Sequence, residues 1–170
     1  MQIPSYLSTR LHYQHKALID ILDGLSDEQV RRNIIPGKWS IFEHIVHLQA
    51  YQHLTVNRIK QIIAETNPCF DRYTADADPI FLDNCHLSTR EIMQDLITTR
   101  KEMATDLLQL ADKDYEKVGT HPHFGVMNIV QWINFFVLHE GHHQFAIFKL
   151  VAEFKRSQSM NVYSDTSTKL

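Results

Sequence analysis

Apolar residues recur every three to four positions along most of this chain, which is the signature of amphipathic helices. Proline falls only between the periodic segments, at Pro4, Pro36, Pro68, Pro79 and Pro122, where a missing N–H is tolerated. Leu7, Leu11, Leu18 and Leu22 predict a first helix over about residues 5–23, with Gly24 as its C-terminal stop. The stretch "SDEQVRR" adds a short helical turn. Ser40 and Glu43 form a capping-box pair that opens a second long helix, running to about Glu65. Ser88 and Glu91 open the third in the same way, and it carries Ile92, Leu96, Met103, Leu107 and Leu110. The fourth spans about Val126 to Phe154 and is apolar around most of its circumference, so it is expected to be the most buried. Strand signals are weak, and there is no internal repeat.

Four helices of about 20 to 28 residues predict an all-α four-helix bundle. The expected organisation is one domain over residues 1–155 and a polar tail, residues 156–170, that frays. The connection from Thr66 to Leu87 is long for a bundle, where about 2 to 8 residues is usual. It holds Phe70, Tyr73, Ile80 and Phe81, which predicts that it is ordered. Such a connection can carry a helix pair across in parallel and can also roof a site.

Composition narrows the functional classes. The net charge is −3 with Lys and Arg scattered, which gives no basic stripe for nucleic acid. No apolar run reaches the length of a membrane span, and "MQIPSYLSTR" lacks a signal-peptide pattern, so the chain reads as cytoplasmic. Cys69 and Cys85 stand far apart, against a disulfide framework or a cysteine-based zinc site. Histidine is the outlier, with eleven in 170 residues.

Two of the eleven lie on the core stripe of the fourth helix, which reads Trp132, Phe136, His139, His143, Leu150. His139 and His143 are one turn apart and about 40° apart around the axis, so both imidazoles are directed into the bundle. Buried ring nitrogens need partners. A divalent metal is one shared solution, binding a nitrogen of each ring at about 2.1 Å. A third ligand is sought on the second helix, where His44 and His47 share a face with Tyr51 and Leu54. His47 adjoins the apolar row Ile41, Ile45, Leu48 and is the more inward of the two. The H-x-x-x-H spacing has little weight by itself, because about 0.7 such pairs are expected by chance at this histidine content. His12, His15, His53, His86, His121 and His123 are assigned solvated or structural roles.

The residues "HEGHH" spell the zinc-peptidase signature H-E-x-x-H, but their surroundings do not fit it. The extended motif needs Gly and His where the chain has Ala146 and Lys149, and Glu153 lies on the same helix and cannot fold back as a ligand. No strand is evident to hold a peptide. A ferritin-like di-iron site needs two E-x-x-H motifs, and only Glu140 to His143 supplies one.

A mononuclear site between the second and fourth helices remains. "GKWSIFEHIVHL", followed about ninety residues later by "HEGHH", resembles the DinB/YfiT-like metalloprotein superfamily. "FGVMNIVQWINFFVLHEGHH" is similar to that family's entry into its last helix. The resemblance implies an up-down-down-up bundle and assigns His47, His139 and His143 as metal ligands. It also implies a divalent metal, zinc or nickel foremost, and a reaction in which a bacterial low-molecular-weight thiol is transferred to an electrophilic small molecule. The alternatives are hydrolysis of a small substrate or a non-catalytic metal-binding bundle. Glu140 is the candidate base, and His142 and His44 are candidate acid–base groups or partners of the ligands. Tyr51 and Arg58 lie on roughly the side of His47 and are candidates to touch substrate, while Trp39 packs the bundle end. Family members often form dimers, and the apolar fourth helix can support a homodimer. The chain departs from the family where relatives carry a glutamine after the last histidine; here Phe145 and Ala146 follow, with Gln144 displaced.

Overall fold

The computed structural model describes residues 2–166. The first bundle helix is split into α1 (Ser5–Tyr13) and α2 (Ala17–Leu22) by a 3₁₀ turn at Gln14–Lys16. A short α3 (Asp27–Arg31) follows, then the long α4 (Ile41–Ala64), a short α5 (Pro79–Asn84), α6 (Thr89–Leu108) and α7 (Ile129–Thr166). Both predicted capping boxes form, with Ser40 Oγ accepting from the Glu43 amide and Ser88 Oγ from the Glu91 amide, each at 3.2 Å. Gly24 ends α2 at φ +76°, a conformation that favours glycine.

The architecture is a four-helix bundle built from α1–α2, α4, α6 and α7. Pairs of contacts fix the directions. Gln52 of α4 reaches Leu96 and Arg100 of α6, and Ile63 and Leu107 share a crevice further along both helices, so α4 and α6 run parallel. His44 meets His143 while His47 meets His139, so α4 and α7 are antiparallel. Arg10 donates to Val137 and Gln14 to Glu140, so α1 runs with α7. The result is up-down-down-up. A parallel pair needs a connection that crosses the length of the bundle, and residues 65–88 provide it. This connection is ordered as expected: it includes a 3₁₀ turn at Ala75–Ala77 and α5, and it buries Phe81.

Three expectations are corrected. A β-hairpin is present, with β1 (Val118–His121) antiparallel to β2 (Gly125–Asn128) and Cys69 bridged to Thr120 alongside. Its strands are four residues each, too short to display a period of two. Gly119 in β1 leaves no room for a side chain, since a Cβ there would stand 2.7 Å from Ile62 Cγ1. The hairpin takes the residues assigned to the start of the fourth helix, so α7 begins at Ile129 instead of Val126. Asn128 caps it, its side-chain oxygen accepting from the Gln131 amide at 2.9 Å. At its other end α7 continues past Phe154 to Thr166, because no glycine or proline intervenes and the polar residues there are compatible with a helix. Residues 167–170 of the expected tail lie outside the described residues. Among the described residues, no helix is long and apolar enough to cross a membrane.

The apolar core has two halves. One gathers Leu11, Ile62, Leu107, Trp132 and Phe136, and the other gathers Ile41, Ile45, Phe81, Leu96 and Ile147. Between them, α4 and α7 carry polar side chains at middle depth, including His47, Gln52, His139, Glu140 and His143.

Candidate metal centre

The capping box at Ser40 sets the first turn of α4, which places His44 in the second turn and His47 one turn deeper. His139 and His143 stack one turn apart on the facing side of α7. The antiparallel packing brings these side chains level. His139 Nε2 lies 3.1 Å from His47 Nε2 and 3.2 Å from His143 Nε2. The three residues form a group whose ring nitrogens could hold one metal ion, with the ligand atoms all within 4.8 Å of one another.

These separations fit a shared cation. Two imidazole nitrogens, each about 2.1 Å from one ion and subtending about 90° to 109°, stand about 3.0 to 3.4 Å apart. Protonation agrees with this. Burial is the largest cause lowering the pKa values of His47, His139 and His143 to about 3, and neighbouring imidazoles lower them further. The rings are therefore neutral at pH 7, each with a lone pair to give.

His44 supports the cluster from outside. Its Nδ1 is 2.9 Å from His143 Nδ1. With His143 Nε2 kept as a lone pair for a cation, His143 Nδ1 carries the proton and donates it to His44 Nδ1. Nδ1 of His47 and of His139 is buried without a hydrogen-bond partner. Aromatic rings close the surroundings. Trp39 packs on His47 and stacks on Phe81, with ring centroids 5.1 and 5.5 Å apart. Tyr51 covers His139 at 4.0 Å, and Tyr73 of the long connection covers His47 at 5.7 Å. Burial raises the Tyr51 hydroxyl to about 12, so it stays protonated.

His139 also forms one wall of a cavity of about 620 Å³. Its other walls include Tyr51 and Arg58 of α4, Tyr73 of the connection, and His121 and Phe124 of the hairpin. Tyr51 and Arg58, the candidates to touch substrate, both line this cavity. His121, assigned a solvated or structural role, and Phe124, not singled out, are brought to the site across the molecule by a hairpin turn. The pairing of Pro122 with Gly125 in "HPHFG" was the available signal.

The structure does not bring Glu140 to the cluster. One residue beyond His139 is about 100° further around the helix, which turns Glu140 toward α1 and α6. Its side chain is 1% exposed and ion-paired with Arg100. Gln14 Nε2 also donates to its Oε2 at 2.8 Å, and Arg100 Nη1 to the same oxygen at 3.3 Å. Arg100 donates in addition to Gln52 Oε1 at 2.8 Å. His142 is exposed on the outer side of α7, edge-on to the His143 ring, and does not line the cavity. Gln144 is buried and ties α7 to the Gln14 carbonyl at 2.9 Å, away from the imidazoles. Of the remaining histidines, His15 is buried and not solvated, and burial, with the Arg100 charge adding to it, lowers its pKa to about 4.

The neutral cluster predicts acid sensitivity. The folded pKa values of His15, His44, His47, His139 and His143 lie at about 3 to 4, below the ordinary 6.5. Their contribution to metal-free stability is complete above pH 6.5 and is lost as pH falls toward 4 and below. Each proton taken up on unfolding adds a slope of about 1.4 kcal/mol per pH unit. Thermal midpoints of the metal-free protein, followed by circular dichroism from pH 7.5 to 4, are expected to fall steeply below pH 6. A double variant, His47→Phe with His139→Leu, is expected to fall less steeply; an identical slope in both proteins would remove the cluster as the cause.

Comparison with known proteins places this geometry in a family. Residues 10–146 match the model of the DinB superfamily. The uncharacterized protein YuaE of Bacillus subtilis (strain 168) is 28% identical over 134 residues, covering 72% of this chain and 83% of its own. YfiT from Bacillus subtilis, described as a probable metal-dependent hydrolase with an unusual four-helix bundle topology, superposes with a TM-score of 0.71 at 18% identity, over 91% of this chain and 86% of that one. TT2238, a four-helix bundle protein, superposes with a TM-score of 0.60 at 19% identity, over 84% and 95% of the two chains. With the family model spanning most of its length, the chain belongs to the DinB superfamily.

Proposed function

We propose that the protein is a divalent-metal-dependent enzyme in which His47, His139 and His143 hold the cation, and that it transfers a low-molecular-weight thiol to an electrophilic small molecule. The observation that supports this reading is the convergence of three neutral imidazoles, one of which, His139, lines a cavity large enough for a small substrate. Three imidazoles suit zinc or nickel. A divalent cation held there lowers the pKa of a thiol or water that reaches it, and so supplies a nucleophile near neutral pH.

The remaining roles belong to the chain's own groups. Trp39, Tyr51 and Tyr73 keep bulk water from the imidazoles, which strengthens electrostatic interactions there. His44 orients the His143 ring through the Nδ1 contact and fixes its tautomer. Tyr51 lines the cavity, and its hydroxyl, kept protonated, is assigned the donation of a hydrogen bond to charge developing on a leaving group. Glu140 is occupied by Arg100 and Gln14, so we assign it the task of holding α7 in register with α1 and α6, not that of a base. His142, exposed and off the cavity, is given no catalytic part.

A second reading, metal-dependent hydrolysis, has one observation in its favour: the fold is shared with YfiT, described as a probable metal-dependent hydrolase. The two separate on cosubstrate. Zinc- or nickel-loaded protein is to be offered monobromobimane with a panel of cysteine-derived thiols, and in parallel a panel of activated esters and amides without thiol. A rate of bimane conjugation raised at least tenfold above the uncatalysed thiol reaction is expected. Product from the esters or amides alone would replace transfer with hydrolysis.

A further inference from the structure

Arg58 is 7% exposed, yet among the described residues no carboxylate forms an ion pair with it. Its Nη2 donates to the Asp71 carbonyl at 2.8 Å, and its guanidinium lies 5.2 Å from the Phe70 ring centroid and 5.8 Å from that of Trp132. A guanidinium has five N–H donors, and this single hydrogen bond uses one. The contrast with Arg100 is instructive. That arginine is buried still deeper, and the fold gives it Glu140, Gln52 and the Leu11 carbonyl. A buried cation without an ion-paired anion is costly, because a carboxylate beyond pairing range repays only part of the desolvation. Arg58 lines the same cavity as His139.

We infer that the cavity takes a small molecule bearing a carboxylate, which Arg58 binds while the reacting end of the molecule lies toward His139. The inference rests on the proposed function only for what happens at that far end. Placement on α4 favours it. Arg58 lies eleven positions beyond His47 on the same helix, and side chains tilt toward a helix's N-terminus, so Arg58 leans back toward the imidazoles. Tyr51 stands between them, covering His139 and acting electrostatically on Arg58. The walls contributed by Tyr51, Tyr73, Phe124 and Phe135 are aromatic, which fits a flat apolar body between the two ends.

A monoanion fits better than a phosphate dianion. The charged groups that face Arg58 include Asp71, whose carboxylate acts on it from beyond ion-pairing range. Arg72 also lines the cavity, but it is exposed and solvent screens it. The one buried guanidinium, with a donor already used and Asp71 acting on it, compensates a single added negative charge.

Titration calorimetry on metal-free protein tests this with three probes: 4-phenylbutyrate, 4-phenylbutyramide and phenyl phosphate. The acid is expected to bind at least tenfold more tightly than the amide, and more tightly than the phosphate. Arg58→Gln is expected to erase the acid-to-amide difference, and Arg58→Lys to restore part of it, as a point charge without the planar fork. Equal binding of acid and amide to the wild-type protein overturns the inference, and needs no variant to fold. Tighter binding of phenyl phosphate overturns the choice of a carboxylate. A preference for the acid that appears only after zinc is added, and survives Arg58→Gln, would move the carboxylate to the imidazole cluster and also overturn it. Metal stoichiometry is scored separately. Protein that binds no metal but keeps the acid preference would sink the metal-site reading alone, while stoichiometric metal without the preference would sink the carboxylate site alone.

Discussion

His139→Ala is expected to abolish stoichiometric binding of zinc or nickel and, with it, turnover. Of the three proposed ligands, His139 holds the middle position, with its Nε2 within 3.2 Å of the other two. Loss of an outer partner of a ligand costs about 10- to 100-fold in metal affinity. Removal of a ligand itself is expected to exceed that, by roughly 1000-fold or more, because two imidazoles on α4 and α7 no longer enclose the ion. A graded series follows from the geometry. His47→Ala and His143→Ala join His139→Ala at the severe end. His44→Ala, which frees the His143 ring but leaves every proposed ligand, falls in the 10- to 100-fold range. His142→Ala, on the outer side of α7, leaves metal content unchanged. Elemental analysis after dialysis against a metal buffer reads the series, and circular dichroism confirms that each variant is folded. Stoichiometric metal in all three severe variants would overturn the ligand assignment.

The clustering of His47, His139 and His143 was legible in the sequence because its geometry is local to two helices. A period of 3.6 puts His139 and His143 on the stripe of Trp132 and Phe136, and the row of Ile41, Ile45 and Leu48 turns His47 inward. The same rule applied to Glu140 would have turned it away from the cluster, since consecutive residues on a helix diverge by about 100°. The peptidase spelling obscured that. Arg100 could not be foreseen as its partner, because forty positions separate them and only the packing of α6 beside α7 brings them together. The helix boundaries with side-chain caps, at Ser40 and Ser88, were readable for the reason that a capping box is a four-residue signal. The hairpin was not, and with it went two walls of the cavity, His121 and Phe124. Four-residue strands are set by what they pack on, here Ile62 under Gly119 and the Trp132 indole donating to the Gly119 carbonyl.

The second large effect lies behind the cluster. Glu140→Ala is expected to lower stability by about 3 to 5 kcal/mol, since it leaves the Arg100 guanidinium buried without its anion. For a chain of this size that is a fall of about 6 to 20 °C in the thermal midpoint. Arg100→Ala has the converse fault and is expected to cost as much. Removing both charges, as Arg100→Met with Glu140→Leu, is expected to recover much of the loss, because neither charge is then stranded. Recovery stays incomplete, since Gln14 and Gln52 lose the partners to which they are now bonded. Urea unfolding of the two single variants and the double variant reads the coupling between the sites directly. The pair also decides what Glu140 is for. If it holds α7 in register, Glu140→Gln loses stability but, assayed well below its own midpoint, keeps the pH profile of the wild-type reaction. If it were the base, the limb of the profile that reports deprotonation would vanish while stability held. A Glu140→Ala variant as stable as the wild type would return the residue to the candidates for proton transfer.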